Sequence, residues 1–383
     1  MKKRVSLSVC LLVAAAAVVA GFGLHLWVQA AVLPAPVLEE ARQQIETKFI
    51  GEYDPETLKD AAIKGMVSAL GDRWSYYLSA DEYSAYEASV NNAYVGIGVT
   101  IESDMEKGGL RIRKVQAGGP AQEAGLKAGE QIIAAEGKPF AGLTLAQAKA
   151  LISGEAGTSV MVTVRSQDGG QRDVTLIRRE IVVVPVNHQM LERQIGYIQI
   201  QNFDSTASQH AKAAVNNLME QGAKKLVFDL RNNPGGLLTE LLDLLDFLLP
   251  EGDTFISVDY TGEERIYHSD ESCVDLPISI LVNEETYSAA EFFAAIFQEM
   301  GRGRVVGTQT SGKGYSQVPI RLSDGSAVVL STAKYFTPNR VSLIGKGVTP
   351  DVALPMTEEQ NKALLDEMLS PGEDTQLQKA ISD

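Results

Sequence analysis

The chain has few of the residues from which covalent cross-links and metal sites are built. Only two of its 383 residues are cysteines, and one of them, Cys10, lies in an apolar N-terminal segment. An intradomain disulfide or a cysteine metal site is therefore excluded. Packing alone must hold the fold, and no metal or other cofactor is predicted.

Positive charge is also scarce. The chain has 34 Lys and Arg residues against 49 Asp and Glu residues, which gives a formal net charge of −15 and a pI near 4.9. Nucleic acids and anionic membrane surfaces attract clustered Lys and Arg, so neither is predicted as the main partner. At roughly 100 to 200 residues per domain, the length allows two or three domains.

Residues 5–38 contain no Asp, Glu, Lys or Arg and follow a basic start of Lys2, Lys3 and Arg4. About twenty apolar residues suffice to cross a bilayer, and the basic flank stays in the cytoplasm. We expect residues 1–33 to form a membrane anchor that places the rest of the chain on the extracytoplasmic face of the cell membrane. A signal peptide with a cleavage site at 28–30, followed by secretion, is the alternative.

The rest of the chain divides into regions that differ in their pattern of apolar, charged and turn residues. Residues 34–92 alternate charged and apolar positions at helical spacing and predict a helical region, within which 71–78 is interpreted as a packing corner rather than a functional one. Short β-branched runs between Gly-rich turns predict strands and two helices over 93–181. Alternating strand and helix signals predict a mixed α/β core with βαβ units over 182–356, followed by a helical tail over 357–383. The expected fold class is α+β and multidomain.

Two junctions between a predicted strand and a predicted helix are candidates for a functional site. One is the glycine-containing turn 229–237, and the other ends at Ser288, directly before a helix predicted over 289–300. Because Glu291 follows three positions later, Ser288 fits a capping box, in which its side chain satisfies the amides of the helix. That interpretation needs no catalysis.

Ser288 also fits the role of a nucleophile. The amide of Ala289 is free at the start of the helix. Together with an amide of Gly235 or Gly236, it can hold the oxyanion that forms when a serine attacks a carbonyl group. A serine hydroxyl is a weak nucleophile, so this role requires a base within hydrogen-bond reach.

Lysine is the predicted base. Lys313 lies between two glycines, which permit a tight bend and a close approach to Ser288, and Gln317 is placed to orient the amine. The amine must be neutral, so its pKa must fall by about 3 from roughly 10.4, which burial can achieve. A Ser/His/acid hydrolase is the alternative, although its three candidate bases lie in ordinary stretches: His188, His210 and His268.

The region 93–181 carries an ordered series of glycine motifs. A Gly-Ile-Gly-Val turn opens its first strand, and Gly118-Gly119-Pro120 and the run 124–130 follow. This order resembles a PDZ domain, a β-sandwich with two helices. PDZ domains bind an extended peptide as an added strand and hold its terminal carboxylate with backbone amides. The resemblance implies peptide contacts at the turn: Val95, Gly96, Ile97, Gly98 and Val99.

Four motifs together resemble the carboxy-terminal processing proteases, which are exported or membrane-associated serine endopeptidases with a PDZ domain and a Ser/Lys core. The motifs are Asp229-Leu230-Arg231-Asn232-Asn233-Pro234-Gly235-Gly236-Leu237-Leu238, Ser288-Ala289-Ala290-Glu291, the run 307–317, and Gly347-Val348-Thr349-Pro350-Asp351. The resemblance implies that Ser288 is the nucleophile, Lys313 the general base and Gln317 its positioning partner. The sequence departs from the family at Thr286, where a serine is usual, and at Ser311, where an aromatic residue is usual.

The resemblance also implies the partners. It predicts protein or peptide substrates with apolar C-termini that the PDZ domain binds. A catalytically inactive PDZ adaptor that captures exported protein C-termini is the alternative, although an adaptor has no reason to retain the catalytic trio. The helical region and the tail, with its apolar Leu364, Leu365 and Met368, are either homodimer elements or simple packing.

Overall fold

The computed structural model describes residues 35–104, 108–366 and 368–382. The chain divides into two compact units between Ile63 and Lys64. The predicted membrane segment, residues 1–33, lies outside the described residues. Within the described ranges, no helix has the length and apolar character needed to cross a membrane.

The first unit is helical where it is described. It contains α1 (Ala35–Lys48) and most of α2 (Pro55–Ser68). Arg42 forms ion pairs with Glu39 and Glu46, which lie one turn away on either side of it. Asp54 accepts a hydrogen bond from the amide of Thr57 at 3.1 Å, at the start of α2. The helical spacing of the sequence is thus confirmed for this part.

The PDZ part of the second unit is built on an antiparallel sheet. The strand order is β3-β4-β5-β7-β8, with β6 on β5, so one edge of β3 is free of any strand that the structure describes. Its core is a cluster of fully buried apolar side chains that includes Leu110, Ile132 and Val162. The elements are β3 (Val99–Asp104), β4 (Gly109–Val115), α4 (Pro120–Glu123), β5 (Gln131–Ala135), β6 (Lys138–Pro139), α5 (Leu145–Ile152), β7 (Ser159–Arg165) and β8 (Gln171–Ile177).

A two-stranded ladder closes the PDZ part. β2 (Ala93–Gly96) pairs antiparallel with β9 (Arg179–Val182). The chain therefore enters and leaves this part side by side, next to the predicted boundaries at 93 and 181. The division into the predicted domains itself stays a prediction.

A six-stranded sheet forms the centre of the region 182–356, for which the resemblance implies a protease core and which is called the catalytic part below. Its order is β10-β11-β12-β15-β16-β19, in which β10 is antiparallel to β11 and the other pairs are parallel. Parallel pairs need crossover connections, and helices supply them, which confirms the predicted βαβ units. The elements are β10 (Val186–Leu191), β11 (Ile195–Ile200), α6 (Ala207–Glu220), β12 (Lys225–Asp229), α7 (Leu238–Leu248), β15 (Ile278–Val282), α8 (Ala289–Glu299), β16 (Gly303–Gly307) and β19 (Val352–Ala353).

A second sheet in the catalytic part includes a strand from 34–92, the region predicted to be helical. β1 (Tyr76–Leu78) pairs with β18, so this short strand belongs to the catalytic part. It is followed by α3 (Ala80–Val90). Tyr77 is buried opposite Val328, a pairing across most of the chain that local periodicity cannot reveal. The other strands are β13 (Gly252–Asp259), β14 (Glu264–Ser269), β17 (Tyr315–Arg321) and β18 (Ala327–Phe336).

The C-terminal tail is helical, as predicted, and its last helix packs on the six-stranded sheet. The helices are α9 (Glu358–Leu365) and α10 (Thr375–Ser382). Leu377 and Ala380 are buried against apolar residues of the sheet. Asp374 pairs with buried Arg231 at 2.7 Å, which ties the tail to the turn after β12. Of the two interpretations of the tail, packing therefore holds for α10.

We expect Leu377→Ala to lower the free energy of unfolding by about 2–5 kcal/mol, because it removes a buried side chain and leaves a cavity. Met368 is 77% exposed in the same tail, so Met368→Ala should change stability by less than about 0.5 kcal/mol. Urea denaturation of the full chain measures both. Equal, small effects would contradict the packing of α10 on the sheet.

Candidate active site

One cleft brings together the protease-site residues that the sequence singles out. Its volume is about 840 Å³, and Ser288, Lys313 and Gln317 all line it, together with the predicted oxyanion residues Ala289, Gly235 and Gly236. They come from the turn after β12, the start of α8, the loop before β17 and, for Gln317, β17 itself. The candidate site thus lies at the carboxyl ends of parallel strands, where α/β proteins place their sites.

Ser288 has a strained backbone and does not cap its helix. Its φ is 59° and its ψ is −128°, and its side chain makes no capping hydrogen bond. Non-glycine residues adopt such conformations at a cost of about 1–3 kcal/mol, typically at functional sites. The capping-box interpretation is therefore wrong, and the hydroxyl stays available in the cleft.

Glu291 does not cap the helix as predicted but binds the loop that carries Lys313. Its buried carboxylate accepts hydrogen bonds from the amide of Gly312 at 2.7 Å, the amide of Lys313 at 2.9 Å and the hydroxyl of Thr310. Burial raises the pKa of this carboxyl, while the three donors act in the opposite direction. The first turn of α8 thus fixes the backbone of the lysine loop as well as the position of Ser288.

The two strand-to-helix junctions are joined by hydrogen bonds. Asn232 and Asn283 exchange two of them, each 2.9 Å long. The buried hydroxyl of Thr286 donates to the carbonyl of Leu230 at 2.8 Å, and the amide of Tyr287 donates to the carbonyl of Asn233. Thr286, a departure from the family pattern, therefore helps to hold Ser288 beside the glycine turn.

The geometry distinguishes between the two predicted glycine amides. The amide of Gly235 already donates to the side chain of Asn233 at 2.8 Å. Among the described residues, the amides of Gly236 and Ala289 have no acceptor. A Cβ on Gly236 would lie 2.4 Å from the carbonyl carbon of Phe203, so only glycine fits there. Gly236 and Ala289 are therefore the pair available to an oxyanion.

Aromatic rings surround the amine of Lys313. Its Nζ lies 4.8 Å from the ring centroid of Trp74 and 5.8 Å from that of Tyr287, and the two centroids are 5.5 Å apart. Ser311, the other departure from the family pattern, instead accepts a hydrogen bond from Arg73 at 3.3 Å. The apolar surroundings of the amine are supplied by Trp74 and Tyr287 from other parts of the chain. The small side chain of Ser311 therefore does not expose Lys313 to solvent.

Burial lowers the pKa of Lys313 from 10.5 to about 8, although the carboxylates of Asp72 and Glu291 act in the opposite direction. At about 1.36 kcal/mol per pKa unit, this change corresponds to about 3 kcal/mol against the charged form. Attraction of a cation to an aromatic face contributes about 0.5–2 kcal/mol. The exclusion of water therefore affects the pKa of Lys313 more than the attraction to the rings does. A part of the lysine amines is consequently uncharged near neutral pH.

A chain of hydrogen bonds connects the corner 71–78 with Gln317. Gln317 Nε2 donates to Ser331 Oγ at 3.0 Å, the amide of Ser331 donates to Ser75 Oγ at 3.0 Å, and Ser75 Oγ donates to Asp72 at 2.7 Å. The packing interpretation of this corner was thus incomplete, because the corner also places Trp74 next to the amine of Lys313. The sequence signal for this role was the pattern of 71–78, in which turn residues are followed by aromatic residues.

Lys313 makes no hydrogen bond to Ser288 or Gln317 among the described residues. The nitrogen of Gln317 is engaged, which leaves its side-chain oxygen free to accept from an amine. Buried Tyr335, which the sequence analysis missed, donates to the carbonyl of Lys313 at 3.2 Å. Burial raises its pKa, and Ser288 contacts its hydroxyl.

None of the three histidines lines the cleft. His188 contacts Asn217, His210 contacts the carbonyl of Thr206 within its own helix, and exposed His268 pairs with Asp253. The geometry thus gives no support to a histidine base for Ser288.

The predicted peptide-binding turn lies outside this cleft, where β2 meets β3. Val95 and Gly96 are paired with β9, and Ile97 is buried with its carbonyl bonded to Ala121. Gly98 turns the chain at a φ of 77°. Val99 begins the free-edged strand β3. The predicted peptide-binding turn and the cleft that holds Ser288 are therefore separate places in the structure.

Fold and cleft together define a serine peptidase that carries a PDZ domain. Residues 194–354 match peptidase family S41, and residues 111–166 match the PDZ domain. The chain is 32% identical over 331 residues to the carboxy-terminal processing protease CtpA of Bacillus subtilis, which covers 86% of this chain and 71% of that protein. It belongs to peptidase family S41, the carboxy-terminal processing proteases, which are hydrolases acting on peptide or protein substrates.

Further similarities agree with this assignment. The chain is 33% identical over 326 residues to the carboxyl-terminal-processing protease of Synechocystis, across 84% of this chain and 75% of that protein. Among solved structures, the photosystem II D1 C-terminal processing protease matches with a TM-score of 0.50 and 29% identity. That match covers 82% of this chain and 86% of the solved chain.

We expect Lys313 to titrate near pH 8, and Trp74→Ala to raise its pKa towards 10.4 because water then reaches the amine. The pH dependence of Lys313 acetylation, followed by peptide mass spectrometry, measures this value. Trp74→Leu is the matched control, because it keeps apolar bulk without an aromatic face and should stay closer to 8. A pKa that remains near 8 in Trp74→Ala would contradict the role of water exclusion.

Proposed function

We propose that this chain is a serine endopeptidase that cleaves proteins recognised by their C-terminal tails, with Ser288 as nucleophile, Lys313 as general base and Gln317 as its positioning partner. The observation that carries the proposal is the shared cleft. In it a strained serine lies beside two unpaired amides and a half-buried lysine with a lowered pKa.

The proposed reaction begins when neutral Lys313 takes the proton of Ser288 as its oxygen attacks the scissile carbonyl. The amides of Ala289 and Gly236 stabilise the oxyanion, and loss of one such donor would cost about 2.7–4 kcal/mol in the barrier. The ammonium then protonates the leaving amine, and water hydrolyses the acyl-enzyme by the same route in reverse. Lys313 must first swing from the rings of Trp74 and Tyr287 towards Ser288, and the free oxygen of Gln317 can receive it.

The proposed role of the PDZ part is to hold the substrate's tail. The free edge of β3 can pair with an extended peptide, and the glycine turn of residues 96–98 precedes it directly. An apolar C-terminus is the proposed ligand. Because β2 and β9 connect this part to the catalytic part, bound tails would be delivered to the cleft.

Location and assembly belong to the same proposal. The uncharged stretch after Lys2-Lys3-Arg4 supports export with the N-terminus in the cytoplasm and the catalytic part on the extracytoplasmic face. Secretion after signal cleavage is the alternative. A homodimer through the helical region or the exposed Leu365 and Met368 stays a hypothesis.

Ser288→Ala should abolish cleavage of an unstructured protein with an apolar C-terminus, a loss on the order of 10⁶ in kcat. Lys313→Ala should slow it by about 10²–10⁴ because the base is lost. In the wild type, kcat/KM should rise with pH through about 8, as Lys313 loses its proton.

The matched controls are alanine variants of His188, His210 and His268, each of which should retain activity. Collapse of one of them while Lys313→Ala stays active would contradict the lysine assignment. Wild-type protein that binds tails but cleaves nothing would support the adaptor alternative.

Two substrates that differ only at the C-terminus test the role of the tail. Replacing an apolar terminus by Asp-Asp should lower kcat/KM by about tenfold or more, which corresponds to about 1.4 kcal/mol per tenfold. A short peptide containing the cleavage site but no tail serves as the reference for catalytic competence. Equal rates for both tailed substrates would contradict recognition through the PDZ part.

A further inference from the structure

Asp204 lies beside the catalytic glycine turn. It follows Phe203, whose amide donates to the carbonyl of Gly235 at 2.7 Å and whose carbonyl accepts from Leu237 at 2.7 Å. A Cβ on Gly236 would lie 2.8 Å from the amide nitrogen of Asp204. The backbone of Asp204 therefore lies against the residue proposed to hold the oxyanion.

The side chain of Asp204 lines the cleft and has no partner. Among the described residues, no hydrogen bond and no ion pair reaches its carboxylate, and burial raises its pKa to about 6. Other acids close to the cleft are satisfied: Asp72 accepts from Ser75 and Trp74, and Glu291 has three donors. A half-buried carboxylate that is still ionised at pH 8 and has no counterion is costly, unless a ligand supplies the positive charge.

Two aromatic rings lie on the same side of the cleft. Tyr83 and Tyr86 on α3 stack with centroids 6.2 Å apart and an interplanar angle of 16°. Both line the cleft with Asp204. The amide of Ser205, the residue after Asp204, donates to the carbonyl of Val90 at the end of α3 at 2.8 Å, which brings the helix that carries both rings close to Asp204. An aromatic face next to a carboxylate suits the long stem and cationic head of lysine or arginine.

We propose that Asp204 forms a subsite that selects a basic side chain, lysine or arginine, in the substrate near the scissile bond. This inference rests on the proposed proteolytic function of the cleft. The subsite also disfavours substrates with an acidic residue at that position, because a second carboxylate would meet Asp204 without a counterion. Selection by charge at the cleft is separate from selection of the apolar tail at β3.

The test uses the full-length protein and one tailed substrate in which Lys, Gln or Glu is placed in turn at each position flanking the cleavage site. At one position, Lys should be preferred to Gln by roughly tenfold or more in kcat/KM, as expected for a hydrogen bond to a charged group. The preference should weaken at high salt. Asp204→Asn should abolish it, and Asp204→Lys should shift it towards Glu.

Glu87→Gln is the matched control, since Glu87 also lines the cleft but its carboxylate contacts Tyr83. This variant should keep the wild-type ratio of Lys to Gln. The inference is overturned if the wild type shows no preference for Lys at any flanking position, or if Asp204→Asn retains the preference.

A binding measurement separates this inference from the proposed function. Fluorescence anisotropy with Ser288→Ala compares the affinities of the Lys and Gln peptides without any cleavage. A Lys preference that disappears in Ser288→Ala/Asp204→Asn supports the subsite even if the wild type cleaves nothing, an outcome that would overturn only the proteolytic proposal. Equal affinities of the two peptides for Ser288→Ala would overturn the subsite.

Discussion

The buried carboxylate of Glu291 is the contact on which the geometry of the candidate site depends. It lies in the first turn of α8, three residues after Ser288, and accepts the amides of Gly312 and Lys313. One rigid helix start therefore positions the serine and the backbone of the lysine together. A buried carboxylate without these donors would be strongly destabilising. The lysine loop and the helix consequently hold each other in place.

The chemistry of Lys313 reflects a balance between burial and charge. The rings of Trp74 and Tyr287 exclude water from its amine, whereas Asp72 and Glu291 favour its charged form. Burial dominates, so the pKa falls to about 8, within the range that suits a general base. Trp74 and Asp72 come from the segment before the PDZ part, far from Lys313 in the chain. The charge state of Lys313 therefore depends on how that segment packs through β1 onto β18.

The proposed places of recognition and reaction are separate in the molecule. β3 offers a free strand edge next to a glycine turn, and the cleft with Ser288 lies in the catalytic part. The ladder of β2 with β9 is a direct covalent and hydrogen-bonded connection between them. Within the cleft, Asp204 adds a negative charge beside the glycine turn that has no partner among the described residues. Apolar selection at one place and charge selection at the other would act on the same substrate.

Local patterns determined much of this protein by themselves. Strands such as β5, β11 and β15 lie in regions for which the sequence predicts strands, because buried β-branched runs between turn residues are a local signal. Ser288, Lys313 and the glycine turn were also identifiable from motifs. Only the tertiary structure decided the other features. It placed Trp74 next to the amine of Lys313 and left Gly236, rather than Gly235, with an amide that has no acceptor among the described residues. It also showed that Glu291, predicted to cap the helix, binds the backbone of the loop that carries Lys313. The contacts of Trp74 and Glu291 join residues far apart in the chain, and no local periodicity encodes which donor meets which acceptor.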